Sequence, residues 1–121
     1  MYTVEFYEND RGVSELWDFF GRAADKKAHP NKDARIQYKQ IVLYIQLLQD
    51  NGTRLSENVT KHLMDGIWEL RPGNNRVFYF CWRGDRFVLL HQFRKRSQKT
   101  PRREIERAKA ERDDWLARKG E

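Results

Sequence analysis

Apolar and polar positions follow two rhythms along this chain. At the start Tyr2, Val4 and Phe6 alternate with Thr3, Glu5 and Tyr7, the two-residue period of a short strand. Glu8-Asn9-Asp10 ends it, and Asp10 is a residue type that caps helices. Over residues 11–27 the period lengthens: Val13, Leu16, Trp17, Phe20 and Ala24 fall on one helical stripe, with Trp17 and Phe20 read as core. His29-Pro30-Asn31 breaks that helix, because proline disfavours helical backbone at the residue before it. A second helix is predicted over 32–49, its stripe carried by Ala34, Tyr38, Ile41, Ile45 and Leu48 and widened by Val42. Asn51-Gly52 supplies a left-handed stop.

Residues 53–65 form a polar connector without clear periodicity. Three apolar runs follow, over 67–71, 76–82 and 86–93, separated by Pro72-Gly73-Asn74-Asn75 and Arg83-Gly84-Asp85. Loops this short join antiparallel neighbours, so the runs predict a three-stranded meander. Thr100-Pro101 reads as an N-cap followed by proline at the first helical position. The closing helix should run to about residue 117, with a sparse apolar edge of Ile105, Ala108, Trp115 and Leu116, and so dock lightly. The order predicts an α+β fold, a single domain over 1–121: N-terminal strand, two helices, a sheet of about four strands, and a C-terminal helix.

Composition narrows the partners. A chain of 121 residues buries roughly 65% of its unfolded surface, enough for a core. Charged residues are 35%, yet 13% aromatic content argues against disorder. The net charge of +6 and pI near 9.6 favour a polyanionic partner, nucleic acid first and an acidic protein second. Cys81 is the sole cysteine, which excludes an internal disulfide and a thiolate cluster. The three histidines are scattered, so neither metal nor cofactor is expected. The opening stretch lacks the features of a secretory signal, and no apolar run reaches membrane-spanning length. The expectation is a cytoplasmic protein with no membrane contact.

The chemistry concentrates in residues 66–101. Six Lys/Arg and no acid lie between Arg94 and Arg103, and Arg71 and Arg76 flank the first meander turn. Alternation places Ile67, Glu69 and Arg71 on one face and Trp68 and Leu70 on the other. Trp68 and Leu70 form the natural core pair, leaving Glu69 and Arg71 on a more solvated face. For the next strands both alternating sets are apolar: Arg76, Phe78, Phe80 and Trp82 against Val77, Tyr79 and Cys81, then Phe87, Leu89, His91 and Phe93 against Val88, Leu90 and Gln92. Periodicity leaves open which set Arg76 joins.

If Arg71, Arg76, Lys95, Arg96 and Lys99 converge, their donors suit phosphate oxygens. RNA can then be cut without metal by attack of its 2′-hydroxyl, given cations on the phosphorane-like transition state, a base and an acid. The candidates for proton transfer are Glu69, His91, His62, Tyr79 and a lysine such as Lys95, whose pKa crowding by cations would lower. Each also has a plainer reading: Glu69 as an ion-pair partner of Arg71 or Arg76, His91 as a structural histidine, Tyr79 as core, the basic loop as a solvated surface.

The run G-I-W-E-L-R, a short turn, R-V-F-Y-F, then L-L-H-Q-F-R-K-R-S-Q-K-T-P and R-E-I-E-R-A resembles the RelE/ParE toxin superfamily, most closely its HigB-like branch with phage-derived members. The resemblance implies a bacterial type II toxin that cleaves mRNA, usually on the ribosome, and is silenced by a helix-turn-helix, HigA-like antitoxin whose complex binds operator DNA. It matches Arg71 and Arg76 to the cations flanking the family's strand turn and Lys95 and Arg96 to the basic pair after the last strand, and these are the expected catalytic cations. Glu69 and His91 stay catalytic candidates from the residues themselves, and Lys61, Arg94, Lys99, Arg102 and Arg103 are the expected RNA contacts. The family's assisting tyrosine near the closing helix has no counterpart between Thr100 and Arg112, and Glu69 stands where some members carry lysine. Two other readings share the scaffold: a non-catalytic ParE-like gyrase inhibitor, and a nucleic-acid-binding regulatory module.

Overall fold

A computed structural model of the chain describes residues 1–24 and 32–121. Its elements are β1 (Thr3–Phe6), α1 (Glu15–Ala24), α2 (Lys32–Asn51), a 3-10 turn (Gly52–Arg54), β2 (Thr60–Met64), β3 (Ile67–Leu70), β4 (Asn75–Trp82), β5 (Arg86–Arg94) and α3 (Arg102–Lys119). The fold is α+β, as expected, with a mixed five-stranded sheet in the order β1-β5-β4-β3-β2. β1 runs parallel to β5, and every other pair is antiparallel. Among the described residues no helix is long and apolar enough to cross a membrane.

The polar connector is corrected to a strand, β2. Thr60 pairs with Leu70, Lys61 with Glu69 and His62 with Trp68. Lys61 and His62 are exposed on this edge, which hides the apolar alternation, while buried Thr60 donates its hydroxyl to the Glu69 carbonyl at 2.9 Å. Asp65 and Gly66 close the hairpin with positive φ angles of 52° and 79°.

Both sheet faces are covered, which is why the strands read as near-continuous apolar runs. Leu70, Val77, Tyr79, Phe87 and Leu89 pack with Leu16, Ile41, Ile45 and Leu48 of α1 and α2, joined by Tyr2, Val4 and Phe6 of the first strand region. Ile67, Phe78, Phe80, Trp82, Val88 and Leu90 pack with Ile105, Ala108 and Trp115 of α3. Arg76 therefore belongs to the α3 face, in step with Phe78.

On β5 the expected alternation fails. Val77 pairs with Gln92 but Tyr79 with Leu89, so two residues, Leu90 and His91, stand opposite Phe78. This bulge turns His91 onto the α3 face beside Leu90, where its ring lies 5.0 Å from that of Phe78.

The helix boundaries also shift. Asn9 Oδ1 accepts the Arg11 and Val13 amides at 2.9 and 3.0 Å, which folds residues 9–13 into a turn. The helix then starts at Glu15, and Ser14 Oγ, rather than Asp10, accepts from the Trp17 amide at 3.2 Å. Leu16 of α1 is buried, whereas Trp17 is 61% exposed despite its expected core place, because the packed side of the helix centres on Leu16, Phe19 and Phe20. Val42 is likewise exposed, since the buried side of α2 follows Ile41, Ile45 and Leu48. The predicted extension of α1 beyond residue 24 and the break at His29-Pro30-Asn31 lie outside the described residues.

The helix α3 docks more firmly than its sparse edge predicts. Ile105, Ala108 and Trp115 are buried, and burying two large apolar side chains contributes about 3–6 kcal/mol. Polar links pin it as well: Tyr7 donates to Asp114 at 2.7 Å, Lys109 lies 3.0 Å from Asp65, and the Trp82 indole donates to the Gly120 carbonyl at 2.9 Å. Thr100 does not cap the helix. Pro101 occupies the cap position without a side-chain bond, and the Thr100 hydroxyl turns instead to Glu69.

Candidate phosphate-binding site

The turn between β3 and β4 builds the site. Pro72 accepts the Asn75 amide at 3.0 Å, and Gly73 takes a φ of 59° that favours glycine. This reversal sets Arg71 and Arg76 side by side at one end of the sheet. The Asn74 carbonyl accepts the Lys95 amide at 2.7 Å, which draws the start of the basic loop onto the same turn. Lys61 approaches from β2, directly across from Glu69.

Glu69 sits at the centre and is only 2% exposed, so the expected solvated face of β3 is corrected. Its Oε2 lies 3.5 Å from Arg71 Nε and 3.8 Å from Arg76 Nε, and its Oε1 accepts from Thr100 Oγ1 at 3.1 Å. The face is buried because two cations and a hydroxyl satisfy the carboxylate there, which is the condition under which a charge is tolerated inside a protein. Arg76, 7% exposed, donates through Nη1 to the Gly73 and Asn75 carbonyls at 2.9 and 2.8 Å. Its Nε has no hydrogen-bond acceptor among the described residues. Arg71 Nη1 donates to the Glu57 carbonyl at 2.8 Å.

The electrostatics follow from this crowding. Burial, opposed by Glu69, pulls the Arg76 guanidinium down from its ordinary range. The Lys95 amine is held below the usual lysine value by its desolvation first, then by Arg76 and Arg71, with Lys61 adding and Glu69 opposing. Arg76, Lys95 and Arg96 line an open cleft of about 370 Å³ together with Asn74, Ser97 and Gln98. One buried carboxylate thus faces more positive charges than it can neutralise, and the surplus points into a polar cleft. Such a cleft suits a phosphate group.

The other candidates are distributed around it. Arg94 is exposed and lies 3.3 Å from Asp33 of α2. Lys99 and Arg102 border a neighbouring groove, Arg102 lies 3.6 Å from Glu106, and Arg103 is exposed on the first turn of α3. His91 is 1% exposed between β5 and α3. Its Nδ1 is 2.5 Å from Glu111 Oε1 and its Nε2 3.8 Å from Glu104 Oε1, so its polar partners are the acids of α3 rather than the cleft cations. Tyr79 is fully buried, its hydroxyl 2.6 Å from Thr60 Oγ1, and burial raises its pKa well above the ordinary tyrosine value. His62 is exposed on the edge strand, where its Nε2 accepts the Gly66 amide at 3.3 Å.

The sequence did not assign Thr100, Asn74, Ser97 or Gln98 to the site. Thr100 carries a signal that points the other way, because Thr before Pro reads as a helix cap. Asn74, Ser97 and Gln98 carry none beyond their place in a turn and a basic loop. Among the described residues no cluster of three or more His, Cys, Asp or Glu is placed to hold a metal ion.

Residues 28–113 match the family described as phage-derived protein Gp49-like (DUF891), and no curated protein matches the chain. The chain belongs to the Gp49-like family, which falls within the RelE/toxin-antitoxin-like group and is associated with toxins of toxin-antitoxin systems.

Proposed function

We propose that this Gp49-like protein is the HigB-like toxin of a type II toxin-antitoxin system and an endoribonuclease that cleaves mRNA on the ribosome. The observation that carries the reading is the preorganised guanidinium pair: buried Glu69 lies against Arg71 and Arg76, and Arg76 lines the cleft shared with Lys95 and Arg96. Fixed cations cost no reorganisation when charge develops on a pentacoordinate phosphorus.

In this mechanism the RNA 2′-oxygen attacks the adjacent phosphorus as its proton passes to solvent water. The P–O5′ bond breaks, giving a 2′,3′-cyclic phosphate and a 5′-hydroxyl after protonation of the leaving oxygen. Arg71, Arg76 and Arg96 hold the non-bridging oxygens. Lys95, with its reduced proton affinity, is the titratable group best placed to give the leaving oxygen its proton. Glu69 acts by positioning the two arginines, since its oxygens are taken up by Arg71, Arg76 and Thr100. A helix-turn-helix antitoxin, HigA-like, is the expected silencing partner, with operator DNA bound through the complex.

Induced expression of the wild type and of Arg76→Ala tests this. Loss of one well-placed donor costs on the order of 3 kcal/mol at the transition state, roughly a hundredfold in rate. The wild type should arrest growth with new 5′-hydroxyl mRNA ends, and the variant should not. Equal toxicity and equal cleavage by the two would remove Arg76 from the machinery. Arrest with intact mRNA and gyrase-linked DNA breaks would instead support the ParE-like activity.

A further inference from the structure

Ser97 lines the cation cleft and also a second groove of about 480 Å³. Met64 from the end of β2, Pro101 from the head of α3 and Ile105 one turn later give this groove an apolar lining. Lys99 and Arg102 border it, and the Thr100 hydroxyl in its wall is the one that reaches Glu69. The groove therefore adjoins the phosphate site through Ser97 and Thr100, apolar within and cationic at the edge. A protein that only held a phosphodiester backbone would have no use for the apolar part.

We propose that this groove takes the nucleobase next to the phosphate held in the cation cleft, with Met64 and Ile105 against the base and Lys99 and Arg102 near the sugar-phosphate. The proposal rests on the ribonuclease reading only in naming that phosphate as the scissile one. The Ser97 hydroxyl already donates to the Lys99 carbonyl at 3.1 Å and the Thr100 hydroxyl to Glu69 at 3.1 Å, so neither wall hydroxyl has its proton free to read a base edge. The base is held by contact with Met64 and Ile105 rather than by a proton from these two hydroxyls.

The test uses the full chain and a short single-stranded RNA made uncleavable by one 2′-deoxy substitution. 2-Aminopurine is placed at each position in turn, and abasic versions are compared. One position next to the deoxy nucleotide should change its fluorescence on binding. Removing its base should weaken binding about tenfold, the scale of losing one packed base. Met64→Ser should lose that tenfold on base-bearing RNA and bind the abasic RNA like the wild type. Exposed Lys99→Ala, which leaves the core alone, should weaken both RNAs equally and keep the fluorescence change.

Equal binding of base-bearing and abasic RNA by the wild type overturns the groove assignment, even if the protein cleaves mRNA on ribosomes. Base-dependent binding that Met64→Ser removes, without any cleavage in a ribosome-programmed reaction, keeps the groove and overturns the ribonuclease reading. No RNA binding at all overturns both and leaves the groove to an apolar protein segment.

Discussion

At the scale of single residues the central pairing is Glu69 with Arg71 and Arg76, and its consequence reaches Lys95. A carboxylate against two guanidiniums leaves net positive charge beside a largely buried carboxylate and Arg76. Lys95 pays for it in proton affinity, its amine held down by burial and by both arginines. If protonated Lys95 supplies the leaving-group proton, cleavage should fall at alkaline pH as that amine loses its proton. Replacing Arg71 by Gln removes a repelling charge, so Lys95 keeps its proton to higher pH and the alkaline limb should move upward. A pH–rate profile of both proteins checks this, and a limb that stays in place would separate Lys95 from proton transfer. The cations themselves were legible in the sequence, because Lys and Arg cluster visibly in 94–103 and around the Pro72-Gly73 turn. The burial of Glu69 was not, since alternation alone made its face look solvated and the covering partner, Thr100, lies 31 residues away.

At the scale of elements the same Thr100–Glu69 bond joins the sheet to the head of α3. Thr100→Val keeps the shape but leaves a buried carboxylate oxygen without its donor, which should cost about 1–3 kcal/mol. Urea unfolding should show a lower midpoint for Thr100→Val and a near-normal one for Thr100→Ser. Equal midpoints for Val and wild type would mean that the loop before α3 is not tied down by this hydroxyl. Long periodic segments such as α2, and the short loops of the meander, were legible because local chemistry dictates them. β2 was not, because an edge strand with exposed Lys61 and His62 lacks alternation, although Asp65-Gly66 is itself a hairpin signal. The bulge at Leu90 and His91 was invisible for a different reason: it depends on the register between two strands, and one sequence run carries no information about its partner's register. Trp17 shows the limit of a helical stripe, which locates a side of the helix but leaves open which of its members meets the sheet.

At the scale of the whole molecule the net charge of +6 becomes a directed field only because the acids and bases are placed unequally. Arg94 is partly offset by Asp33, and Arg102 by Glu106. Arg96 lines the cleft and has no acidic partner among the described residues. Counterion release therefore differs between cations that look equivalent in the sequence. Each fully engaged phosphate contact on a single strand contributes about −0.7 to the slope of log affinity against log salt. Arg96→Gln should make that slope shallower by about this amount. Arg94→Gln should change it less, because Asp33 already shares that charge. Equal changes for the two variants would show that the whole basic loop acts as one diffuse patch, and would remove the basis for a phosphate site organised around Arg76 and Lys95.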